Sequence, residues 1–124
     1  MNFNQNKDPL IDSIQYALVT QKLPMFENMY TWLDIYSPEA GMQDVLNGNV
    51  RFTDGSYYYI NDLFIAPHMA YYSSNDAVAT VNEVGIISYH SAGTVIITAE
   101  FRPMGKPLGS ATKSITVKES SQPG

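Results

Sequence analysis

The sequence predicts an all-β fold, a sandwich of two antiparallel sheets, with an N-terminal extension that contains one short helix. Three observations predict it. From residue 28 onward, short runs alternate apolar with polar side chains, as strands exposed on one face require. From residue 67 such runs recur about every 8–12 residues with turn residues between them. Two pairs that favour tight hairpin turns, Asn47-Gly48 and Asp54-Gly55, lie only a few residues apart.

Residues 1–7 are polar and expected to be loose. At "DPLIDSIQYALVTQKLP" the spacing turns helical. Asp8 suits the cap, Pro9 the first helical position, and Asp12 the positive end of the helix dipole. Leu10, Ile11, Ile14, Ala17 and Leu18 share one face and Pro24 stops the helix, so the expected span is about residues 9–21. "NMYTWLDIY" alternates, with Met29, Thr31, Leu33 and Ile35 opposite Tyr30, Trp32, Asp34 and Tyr36. It reads as a strand over 28–36.

The two turn pairs should bracket a short strand, "NVRFT". "SYYYINDLFIAP" should form another, bulged at Asn61-Asp62 and closed by Pro67. "AVATV", "GIISYH", "TVIITAEF" and "SATKSITVKE" complete the set, with "RPMGKPLG" as the loop before the last. The expected domain plan is an arm over 1–27, a sandwich over 28–119 and a disordered tail over 120–124.

The totals narrow the function. A chain of 124 residues with 44% hydrophobic residues can bury one core. Only 15% are charged, which suggests surface covered by a partner or by further copies; Asn, Ser, Thr and Tyr solvating the surface is the alternative. Residues 1–66 carry eight acids and three bases (−5) and residues 67–124 four of each (0), giving the net −5. No Lys/Arg cluster is present to neutralise phosphates, so neither nucleic acid nor an anionic membrane is an expected partner. There are no cysteines, which removes disulfides and thiolate metal sites. With Met1 as the start, no signal peptide is read, and the apolar runs fall far short of the roughly 20 residues of a membrane span.

The stretch from Tyr71 onward carries a resemblance. Tyr71, Ser73-Ser74-Asn75, Val78-Ala79-Thr80-Val81, Gly85-Ile86-Ile87, Ala92-Gly93-Thr94 with Ile97 and Ala99, and Ile115 with Val117 follow one another in a characteristic order. In this the chain resembles the bacterial immunoglobulin-like domain family, group 2, over residues 71–117. Tyr71 stands where that family usually has tryptophan, so its phenolic oxygen must find a partner or water. The resemblance implies an immunoglobulin-like sandwich of about 100 residues. Alternation gives the inward set as Val78, Val81, Ile86, Val95, Ile97, Ile115 and Val117, and a register slip of one residue would invert part of it.

Chemistry is sparse. His68 and His90 are the only histidines and have no zinc-like spacing. There is no Gly-x-Ser-x-Gly, no phosphate-binding glycine loop, and no clustered oxygen ligands for calcium. No catalytic residue, metal ligand or cofactor is expected, and the chain reads as a non-enzyme. Nine tyrosines stand out instead. Tyr57, Tyr58 and Tyr59 on a strand must send at least one ring outward, and Tyr71-Tyr72 repeats the arrangement. Tyr57, Tyr59 and Tyr72 are the candidate exposed aromatic surface, suited to protein contacts and to sugar stacking; covering the ends of a small core is the alternative.

Domains of the resembled family occur in exported adhesins and in tailed-phage virions. One domain with an added N-terminal segment and no export signal fits the second setting. The expectation is an auxiliary or decoration protein at a phage head surface. Its helix and first strand would dock on the major capsid protein through Leu10, Ile14, Leu18, Tyr30 and Trp32. The sandwich would stand outward, reinforcing the shell or engaging host glycans. The alternative is a carbohydrate- or host-surface-binding module of a larger exported protein at a bacterial cell surface, and the third is a tail-tube or neck component.

Overall fold

In chain order the strands of the computed structural model are β1 (Phe26–Trp32), β2 (Gln43–Val45), β3 (Asn47–Phe52), β4 (Tyr57–Tyr59), β5 (Met69–Ser73), β6 (Ala79–Val81), β7 (Ile86–Tyr89), β8 (Gly93–Phe101) and β9 (Gly109–Val117). A 3₁₀ turn, Ala66–His68, precedes β5. The structure describes residues 26–103 and 105–121. The expected helix at 9–21, with Leu10, Ile14 and Leu18, therefore lies outside the described residues.

The described chain is all-β, and every ladder is antiparallel. The strands form three small sheets, in the orders β1-β3-β4, β2-β7-β6 and β5-β8-β9. They share one core. Val50 and Phe52 from the first sheet, Ile87 and Tyr89 from the second, and Val95, Ile97, Phe101 and Val117 from the third are all at or below 2% exposure. Aromatic edges join the sheets: Phe101 meets Phe52 edge-on with ring centroids 6.4 Å apart and lies 6.1 Å from Phe26.

The late strands follow the alternation. In β8, Val95, Ile97 and Ala99 are buried while Thr94 and Ile96 are exposed; in β9, Ile115 and Val117 are buried. The inward member of β7 is Ile87, fully buried, and not Ile86, which is half-buried like Val81. Tyr71 explains the glycine before Ile86. Gly85 has φ +87°, and its ideal Cβ would lie 3.2 Å from Tyr71 Cζ, so a side chain is opposed by both the backbone and the ring.

The early strands differ from expectation at three points. Asn47-Gly48 is no turn: both residues pair with β1, Asn47 opposite Trp32 and Gly48 opposite Thr31. Any Cβ on Gly48 would collide with the Tyr30 carbonyl, so glycine is there for close strand approach. The strand expected over 28–36 runs over Phe26–Trp32, and the chain then leaves the ladder. "SYYYINDLFIAP" is a strand only to Tyr59. Asp62 turns the chain by accepting Phe64 N–H on Oδ1 (2.9 Å), while its carbonyl accepts Ile65 and Ala66 N–H, and these turns bury Ile65. Asp54-Gly55 does turn: Gly55 N–H donates to the Phe52 carbonyl and Asp54 Oδ1 accepts from Ser56 N–H and Oγ.

Candidate functional site: an aromatic trough and an open strand edge

Register alone assembles the first feature. Inward from the first sheet point Met29, Val50 and Tyr58, which pair across β1, β3 and β4; their neighbours must point out. One outward row is Tyr30, Asn49 and Tyr59, and another is Asn28, Arg51 and Tyr57. Trp32 and Asn47 begin a third. The aromatic residues and Asn28 fall on the edge strands, and Asn47, Asn49 and Arg51 on the middle one. The result is a shallow trough with a polar floor between two aromatic ribs, about 10 Å apart at two strand spacings. Tyr30 (54% exposed), Trp32 (39%), Tyr57 (50%) and Tyr59 (50%) all present ring surface to solvent.

The floor has unmet hydrogen-bonding capacity. Asn28 Oδ1 and Asn49 Oδ1 are buried and accept no hydrogen bond. Asn28 Nδ2 donates to the Tyr30 hydroxyl at 3.3 Å. On the second rib Tyr57 and Tyr59 meet edge-to-face at 5.8 Å, and the Arg51 guanidinium lies 5.9 Å from the Tyr57 ring centroid. Arg51 is the only charged residue in these rows, so the trough is uncharged except for one cation.

Four of the residues singled out from sequence thus come together: Tyr30 and Trp32, expected to dock, and Tyr57 and Tyr59, expected to be exposed, share one face. Tyr72 does not join them. It is on β5, where its hydroxyl donates to Glu100 Oε1 at 3.2 Å beside the Arg102–Glu100 ion pair. Asn28, Asn49 and Arg51 were not anticipated. Their signal was the polar row Asn47, Asn49, Arg51 at strand spacing, hidden by reading Asn47-Gly48 as a turn.

The second feature is a groove of about 530 Å³ beside the trough, between residues 32–38 and β9. β1 and β9 run parallel. They meet at one end, where the Phe26 ring lies on Gly109; beyond the other, the segments that follow them join, where Lys118 N–H donates to the Pro38 carbonyl and Ala40 N–H to the Lys118 carbonyl, both at 2.9 Å. Between these ends no ladder joins them. Backbone groups alternate in direction along a strand, so Thr116 and Ser114 turn their N–H and C=O the same way as Lys118, away from β8 and into the groove. Leu33, Ile35 and Ile115 give it an apolar lining, and Lys113 and Lys118 give it positive charge. Asp44, buried at 7% exposure, fixes the far wall: Oδ2 accepts Ile35 N–H and Oδ1 accepts Val45 N–H, each at 2.8 Å.

Among the described residues no group of three His, Cys, Asp or Glu side chains comes together. His90 Nε2 is 2.8 Å from Thr80 Oγ1. Tyr89, its hydroxyl buried without a partner, is pushed up to about 12 by burial and then by the Asp44 charge, and Tyr71 to about 12 by burial. A phenol held that far from neutrality stays protonated and serves packing. No helix among the described residues is long and apolar enough to cross a membrane.

No family model matches the chain, and no curated protein matches it. Solved structures do. Domains 1–6 of the surface layer protein SbsC align with a TM-score of 0.57 and 14% identity over 80% of this chain and 15% of that one. A crystal structure of the S-layer protein rSbsC aligns with a TM-score of 0.57 and 13% identity, covering 79% and 15%. The chain thus spans about 15% of the length of the S-layer structures it matches, and at this identity what it shares with them is a fold.

Proposed function

We propose that the chain is a non-enzymatic attachment module built as an immunoglobulin-like sandwich, and that it grips saccharide chains through the aromatic trough of its first sheet. The observation that carries this reading is the exposed aromatic surface of Tyr30, Trp32, Tyr57 and Tyr59, set in two ribs on either side of Asn47, Asn49 and Arg51. A ligand that completes this face must meet polar side chains on the floor while laying apolar surface on both ribs. A sugar ring does both at once, with hydroxyls on its rim and C–H groups on its face. A flat protein surface meets the rings more readily than the floor.

The setting we propose is an exposed array. On a phage head the chain would be an auxiliary protein seated on the major capsid protein, with the trough turned to host glycans; on a bacterial cell it would be one module of a larger surface protein. The S-layer likeness supports the second setting at the level of fold.

The test uses the single tryptophan, Trp32, which borders the trough. Titration with cellohexaose, chitohexaose and soluble peptidoglycan fragments is expected to change its fluorescence saturably for at least one of them, with the effect lost in Tyr30→Ser/Tyr59→Ser. No saturable change with any of the three would sink the reading.

A further inference from the structure

We propose that the groove between residues 32–38 and β9 is a receptor slot for an extended peptide segment that carries a carboxylate, held by strand addition to the unpaired stretch of the β9 edge at Ser114 and Thr116. This site adjoins the trough at Trp32, which lines both, and does not rest on the saccharide reading.

Unpaired backbone is the first argument. Ser114 and Thr116 direct N–H and C=O groups into the groove, and among the described residues nothing accepts from or donates to them there. An edge strand with free groups is a template for another strand, and proteins ordinarily guard it. Here the guard is Lys113. It occupies the inward row of β9 with Ile115 and Val117, is half-buried, and makes no ion pair among the described residues. A neutral strand laid along β9 would leave that ammonium desolvated and unpaired. A strand with Asp or Glu opposite it would not.

Charge complementarity therefore names the occupant. The groove holds two lysines in a chain of net charge −5, and its acidic neighbour Glu39 is already engaged, accepting Ser121 N–H and Oγ. The apolar lining from Leu33, Ile35 and Ile115 accepts the alternate side chains of an extended segment. Selectivity follows from the same residue: Lys113 rejects what lacks an acid and holds what has one.

A yeast-displayed library of random heptapeptides, sorted against the purified chain, tests this. The expected outcome is enrichment of alternating apolar sequences with Asp or Glu at one fixed position, and slowed amide exchange at Ser114 and Thr116 with such a peptide bound. Two variants keep the fold. Thr116→Pro removes an N–H that the β8 ladder does not use, and should weaken the enriched peptides at least about tenfold while leaving the melting curve in place. Lys113→Glu should shift enrichment from acids to Lys or Arg. Enrichment without an acid preference, undiminished binding by Thr116→Pro, amides that stay unprotected, or no enrichment at all would each overturn the proposal. Protection of these amides by chitohexaose in place of peptide would overturn it in favour of a saccharide slot.

Discussion

Tyr30 and Tyr59 stand on opposite edge strands of the first sheet, each directly across from Asn49, so that two rings flank one amide whose carbonyl oxygen has no donor. They lie 29 positions apart in the chain and meet only through β3. Replacing either ring by serine should weaken saccharide binding about fivefold, the scale of one aromatic contact of about 1 kcal/mol. Asn49→Leu, which keeps the bulk and removes the acceptor, should weaken it as much while leaving thermal stability unchanged or raised. Fluorescence titration and a melting curve on the same samples check both halves.

Asp44→Ala should lower the free energy of unfolding by about 1–3 kcal/mol, because it leaves the Ile35 N–H without its acceptor in a part-buried site. Urea midpoints measure this. Asn at the same position should recover part of the loss, since its carbonyl oxygen can still accept one of the two bonds.

Phe101→Ala should cost about 3–5 kcal/mol. Its ring is fully buried and touches both Phe26 and Phe52, so the cavity would open where the first and third sheets meet. Ile96→Ala, on the exposed face of the same strand, should change the urea midpoint far less.

Alkaline solution should destabilise the fold through two phenols. In the unfolded chain Tyr71 and Tyr89 ionise near 10, and in the fold burial pushes both to about 12. Between these values the folded state keeps protons that the unfolded state gives up. The stabilisation is therefore complete below about pH 10 and is lost as pH rises towards 12. Urea midpoints at about pH 9 and pH 11 should differ more in the parent chain than in Tyr71→Phe/Tyr89→Phe. Equal differences would assign the loss to other groups.

Strong alternation made the last two strands readable. Val95, Ile97, Ala99, Ile115 and Val117 sit inward because period-two patterning leaves one face to bury, and no competing local signal intervenes. Where a short-range signal competed, tertiary contact decided. Asn47-Gly48 has the composition of a hairpin turn, yet the space beside the Tyr30 carbonyl demands a glycine within a strand. In "SYYYINDLF" Asp62 folds the chain on itself, which strand propensity does not register. The exposed aromatics were visible one by one, whereas their assembly into a trough depends on register between strands distant in sequence. Lys113 was legible in principle: it is the one charge in the inward row of an otherwise regular strand.

The parallel clamp between Pro38–Ala40 and Lys118 has a mechanical consequence. The chain enters β1 beside Gly109 and leaves β9 beside Glu39, so tension that draws the two ends apart slides β1 lengthwise against β9. Both clamp bonds, together with the Glu39–Ser121 tie, then bear load side by side instead of peeling one after another. A module anchored at both ends would yield to stretching abruptly and at high force.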